Sequence, residues 1–169
     1  MKRLVLLLCT AALYVQPALA ETKLRCSKVL AESSSKDKVP AFSATAVLDV
    51  NLLVQFVPGH AKELAEGDHW LEVRFFGPQD FLYESRIVPL TSDPQQTSST
   101  KHVHGYRRPL ARKLVKPSKS GKEIEVSIPL PVAATTIVSS SMYGTWRAEA
   151  FLDGSDERCA PAASFAITQ

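Results

Sequence analysis

Residues 42–56 read FSATAVLDVNLLVQF, and every even position is apolar: Phe42, Ala44, Ala46, Leu48, Val50, Leu52, Val54 and Phe56. The odd positions are mixed and mainly polar in the first half, with Ser43, Thr45, Asp49, Asn51 and, later, Gln55. A period of two places alternate side chains on opposite faces of a strand, whereas one face of a helix repeats every 3.6 residues. The stretch therefore predicts one long strand, or two that meet at a bend, with one face buried. Residues 123–132 repeat the pattern. Ile124, Val126, Ile128, Leu130 and Val132 face one way; Glu123, Glu125, Ser127, Pro129 and Pro131 face the other. Neither proline can donate a ladder hydrogen bond, which predicts a sheet edge or a strand end there.

Residues 70–88 read as a hairpin around Gly77, Pro78, Gln79 and Asp80. A three-residue loop over positions 78–80 pairs Phe75 with Tyr83 and Leu71 with Ile87 on the inner face. The same register pairs Glu72 with Arg86 and Arg74 with Glu84 on the outer face. A loop one residue longer would set Val73 against Glu84 and Leu71 against Arg86. Opposite-charge cross-strand pairs contribute roughly 0.2–1 kcal/mol each, and burying a charge against an apolar residue costs more. The three-residue loop is the expected register.

Residues 145–152 alternate again, with Trp146, Ala148, Ala150 and Leu152 on one face. Asp153 and Gly154 begin a turn, residues 163–168 supply a closing strand with Phe165 and Ile167 inward, and Cys159 falls on the return between them. A short strand over residues 24–30 and another near Leu114 bring the total to about seven. Helix is expected only in short pieces, at residues 61–66 or 133–139. Short strands joined by Pro-, Gly- and Ser-rich connections predict an all-β antiparallel sandwich.

The stretch from Tyr143 to Gly154, YGTWRAEAFLDG, resembles the penultimate strand of small Ig-like modules exported by bacteria, where a G-x-W-x-V-x-V strand and a turn precede the last strand. The stretch from Leu71 to Pro78 resembles their central hairpin. The likeness covers about a third of the chain. Ala148 and Ala150 stand where those modules carry valines, implying a thinner core. The resemblance implies an Ig-like fold and a non-catalytic envelope or secreted module.

The 169 residues suit one domain, and 45% hydrophobic with 22% charged residues is ordinary globular composition. Lys2 and Arg3 precede an uncharged run from Leu4 to Val15, and Ala18, Leu19 and Ala20 form a small-x-small cleavage pattern. That is the layout of a signal peptide over residues 1–20, and the run falls short of the roughly 17–25 residues of a membrane span. A lipid anchor on Cys9 would follow Leu8, where such sites carry a small residue. The expected mature chain, residues 21–169, is then a single extracytoplasmic domain with no transmembrane segment. It keeps two of three cysteines, Cys26 and Cys159, and an oxidising compartment favours their pairing. Removing Lys2 and Arg3 from 20 basic residues leaves 18 against 17 acidic, a net charge of +1.

That balance hides a separation. Residues 94–122 hold eight basic side chains (Lys101, Arg107, Arg108, Arg112, Lys113, Lys116, Lys119 and Lys122) and no acidic one, so the rest of the mature chain sums to −7. Such asymmetry points to an anionic partner, an envelope protein or an anionic polymer such as an acidic glycan. Arg107, Arg108, Arg112, Lys113 and Lys116 are the candidate partner-binding residues. Nucleic acid is not expected as a partner, given the expected export and the single aromatic, Tyr106, in the basic region. His102 and His104, two apart on one strand face, form a candidate metal pair, with His60 and His69 the only further histidines. No other metal or cofactor is expected.

Enzyme motifs find no support. Ser33 to Lys36 matches S-x-x-K and Lys119 to Gly121 matches K-[ST]-G, but both belong to a large α/β domain. G-x-S-x-G, the phosphate-binding loop and H-E-x-x-H do not occur. The sequence thus predicts a non-catalytic binding or accessory module, with a small metal-binding protein using His102 and His104 as the alternative.

Overall fold

A computed structural model of the protein describes residues 24–32, 39–96, 98 and 110–169. The expected signal peptide, Ser33 to Lys36, His102, His104, Arg107 and Arg108 lie outside the described residues. Two sheets face each other. The first contains β1 (Cys26–Ala31), β3 (Asp49–Phe56), β8 (Ile124–Pro131) and β7 (Lys116–Pro117), in that order. The second runs β2 (Ala41–Ser43), β10 (Ala163–Thr168), β9 (Gly144–Leu152), β4 (Trp70–Phe76), β5 (Leu82–Thr91) and β6 (Lys113–Leu114). Pairing is antiparallel except at the two margins of the second sheet, where β2 lies parallel to β10 and β6 parallel to β5.

The opening stretch resolves into two strands in different sheets. β2 ends at Ser43, whose carbonyl accepts from Ala46 and Val47 in a tight turn, and the chain crosses to the first sheet before β3. Alternation holds within β3, where Val50, Leu52, Val54 and Phe56 are buried. It fails at the crossing: Leu48 is 76% exposed, and its carbonyl accepts from Val132 and Ala133. A shared parity of apolar residues does not make one strand when the backbone turns between them.

Val126, Ile128, Leu130 and Val132 pack from the first sheet against Leu71, Val73, Phe75, Trp146, Ala148 and Ala150 from the second. Trp146 is fully buried beneath Tyr83, at 5.2 Å edge-on, and donates through Nε1 to the Met142 carbonyl at 3.1 Å. Two short helices, α1 (Ala61–Glu66) and α2 (Thr136–Ser139), each bury one aliphatic side chain, Leu64 and Ile137. Thr135 caps α2 by accepting from Ile137 N–H at 3.2 Å. Among the described residues no helix is long and apolar enough to cross a membrane. The Cys26–Cys159 disulfide joins β1 of the first sheet to the β9–β10 connection of the second.

The β4–β5 hairpin corrects the expected register. The loop over Pro78–Asp80 is as expected, with Gly77 N–H donating to Phe81 O at 3.0 Å and Phe76 opposite Leu82. Tyr83 is then an extra residue. This bulge sets Phe75 opposite Glu84, Val73 opposite Arg86 and Leu71 opposite Val88. A bulge adds one residue to one strand and so reverses which side chains face inward beyond it. Glu84 and Arg86 therefore lie on the sandwich's inner face. Their charges are met there: Arg86 Nε donates to Glu84 at 2.6 Å, and Nη1 donates to the Pro129 carbonyl of the opposite sheet at 2.6 Å. The rejected mismatch of charge against apolar neighbours thus exists in another form, satisfied at the open side of the sandwich.

Candidate functional site

Within the basic stretch, residues 113–117 form a margin of both sheets. Lys113–Leu114 pairs with the end of β5, with Leu90 opposite Lys113 and Thr91 opposite Leu114. Two residues later Lys116–Pro117 pairs with β8, with Lys116 opposite Glu125 and Pro117 opposite Ile124. Between them Val115 is buried, and its N–H donates to Thr91 O at 2.7 Å. A single apolar residue thus pins the crossing, and the polar residues on either side turn outward. Lys113, Lys116, Lys119 and Lys122 are exposed. Lys119 also reaches Glu32 at 2.8 Å, a surface pair of small energetic worth.

Arg112 departs from the expectation. Its side chain is 5% exposed and pairs through Nη2 with Asp68. Nε donates to Ser98 O at 3.1 Å, and Nη1 reaches Leu90 O at 3.1 Å and Gly67 O at 3.4 Å. A planar guanidinium with several fixed donors suits such a clamp on backbone carbonyls. Arg112 anchors the segment, with its guanidinium turned into the fold; its place in a run of cations gave no sign of this. Lys113 and Lys116 remain outward, and Arg107 and Arg108 lie outside the described residues.

Among the described residues, the margins other than β1 are poorly suited to pairing with a partner strand. β6 and β7 are two residues long and carry lysine, and β2 has three residues. Beyond its two residues paired with β7, β8 carries Pro129 and Pro131, and Arg86 occupies the Pro129 carbonyl. Short edges, lysines, prolines and inward-pointing charges all discourage strand addition. Charge is what the margin offers.

The outer face of the second sheet carries a ladder that the expected register had obscured. Across β4 and β9, Glu72 faces Phe151, Arg74 faces Glu149 and Phe76 faces Arg147. Arg74 stacks 4.3 Å over Phe151 while donating to Glu72 at 2.6 Å; Arg147 stacks 4.1 Å over Phe76 and bonds to Asp80 and Glu149. Arg158 joins Glu149 at 3.1 Å. Beside the ladder an open groove of about 790 Å³ is lined by Arg74, Phe151, Arg158 and residues 160–162. Cross-strand alternation in β4 and β9 signals this ladder once those strands are known to be neighbours.

His60 and His69 are occupied by carboxylates. His60 Nδ1 lies 2.9 Å from Glu63, and His69 Nδ1 lies 2.8 Å from Asp153. The hydrogen bond to Asp153 raises the His69 pKa above its ordinary 6.5; burial opposes this, and the charges of Asp153, Glu63 and Asp68 reinforce it. Among the described residues no group of three or more His, Cys, Asp or Glu side chains could hold a metal ion. The candidate pair His102 and His104 lies outside the described residues. No protein-family model matches the chain, and no curated protein is significantly similar to it.

Proposed function

We propose that this is a non-catalytic, extracytoplasmic Ig-like binding module whose basic margin engages an anionic partner, an envelope protein or an acidic polymer. One observation carries the reading: residues 113–117 of the basic segment lie along the margin of both sheets, held by Val115 and Arg112, with Lys113 and Lys116 turned to solvent. The strand order supports the Ig-like part, since β1-β3-β8-β7 opposite β10-β9-β4-β5 is a Greek-key arrangement with β2 added parallel beside the last strand. The Cys26–Cys159 bond and the charge pattern of residues 1–20 support export. Ammonium groups on a short margin attract anions by charge with little geometric selection, so binding should fall steeply with salt. The test replaces Arg107, Arg108, Lys113 and Lys116 with Glu and leaves Arg112 in place. Cross-linked capture from the native envelope should be lost while the melting temperature falls by no more than about 4–8 °C, since exposed substitutions cost up to about 0.5 kcal/mol each. Undiminished capture would refute the reading.

A further inference from the structure

We propose that His69 is a proton-operated latch, clasping the β9–β10 turn to the loop between α1 and β4 when charged and slackening when neutral. The geometry is a chain of groups from three parts of the fold. Asp153, in the turn after β9, uses both carboxylate oxygens: Oδ2 meets His69 Nδ1 at 2.8 Å and Oδ1 accepts from Trp70 N–H at 2.9 Å. Its own N–H donates to Trp70 O at 3.0 Å, so the turn is stitched to the start of β4. On the other side of the ring, Nε2 lies 3.9 Å from Glu63 Oε1 of α1, and Glu63 Oε2 holds His60. Asp68 precedes the histidine in sequence and is held by Arg112. Among the described residues the groups facing His69 are thus three carboxylates, with Arg112 directed at Asp68 and His60 at Glu63. Its ring also closes over Gly67, where a Cβ would come within 2.5 Å of Nε2.

This environment favours the imidazolium, in keeping with the raised pKa. A neutral ring still donates from Nδ1 to Asp153, but it loses its charge and the Nε2 proton facing Glu63. The folded-state pKa is above the unfolded 6.5, so the stabilisation is fully present below about pH 6.5 and is lost as pH rises through the folded value. The clasped loop also supplies Gly67 O and Asp68 to Arg112 and accepts Leu90 N–H at His69 O. The latch therefore lies beside the anchor of the basic segment, but it stands apart from any binding role of that segment.

The experiment follows the imidazole Cε1–H resonances of the intact chain by NMR against pH, with His69 assigned by the variant His69→Asn. Urea unfolding of both proteins at about pH 5.5 and about pH 8 accompanies it, bracketing the imidazole range. A His69 midpoint above 6.5 is expected, with wild-type stability falling between the two pH values more than that of His69→Asn. A midpoint at or below 6.5, or the same pH dependence in both proteins, would overturn the latch. Should His69→Asn fail to fold, Asp153→Asn takes its place: it must lower the His69 midpoint, and an unmoved midpoint counts against the proposal.

Discussion

Replacing Arg112 with alanine separates an anchoring arginine from a partner-facing one. The side chain is 5% exposed, against 27% for Asp68, and its donors serve Asp68, Ser98 O, Leu90 O and Gly67 O. Removing one member of a buried ion pair costs about 3–5 kcal/mol. Asp68 is more than a quarter exposed and can recover some hydration, which brings the expectation down to about 2–4 kcal/mol. With a urea m-value of about 2 kcal/mol/M, the unfolding midpoint should fall by about 1–2 M at unchanged slope. Lys113→Ala and Lys116→Ala should each stay within about 0.5 kcal/mol of wild type, since both side chains are exposed. A double-mutant cycle with Asp68→Asn should give a coupling of at least about 1 kcal/mol. Arg112→Ala with wild-type stability and lost partner capture would refute the anchoring role and return Arg112 to the binding surface.

Three further outcomes follow from other parts of the fold. Cys26 and Cys159 are 133 residues apart, and the chain-entropy relation puts the bond's contribution near 5 kcal/mol as an upper value; Cys26→Ala with Cys159→Ala should lose about 2–5 kcal/mol in guanidinium unfolding, and a loss below about 1 kcal/mol would contradict it. Gly154 has φ of +76° and its Cα faces the Trp70 ring, 3.3 Å from where a Cβ would stand, so Gly154→Ala should lose about 1–2 kcal/mol; an unchanged melting temperature would show that the turn can relax. Arg86→Leu removes the donors to Glu84 and Pro129 O and should cost about 1–3 kcal/mol by urea titration, whereas a neutral result would mean that water replaces both bonds.

Period-two patterning made the core of the sandwich readable. Residues 126–132 and 145–152 bury the side chains that alternation selects, Ile124 being partly buried, and the closing strand and the helix at Ala61–Glu66 lie where residue preferences put them. The cysteine pairing was readable because only two cysteines remain once residues 1–20 are set aside. The hairpin register was not, because a bulge costs one residue and leaves no mark in composition: Tyr83 could equally be a paired residue until Arg86 finds the far sheet. Nor was the division of labour within the basic segment readable. Neighbouring cations look alike in a sequence, and only the approach of Asp68 and three backbone carbonyls makes Arg112 different from Lys113.

A β-rich chain with short helices, a pair of cysteines able to bond and a strong separation of charge are legible along the chain, because they depend on alternation and composition. Folding was needed to show that residues 42–56 serve two sheets, that Glu84 and Arg86 face inward, that Arg112 is an anchor and that His69 meets Asp153. Each depends on contacts between residues far apart in sequence. His69 and Asp153 are 84 positions apart and 2.8 Å apart in space, and only the pairing of β4 with β9 brings them together.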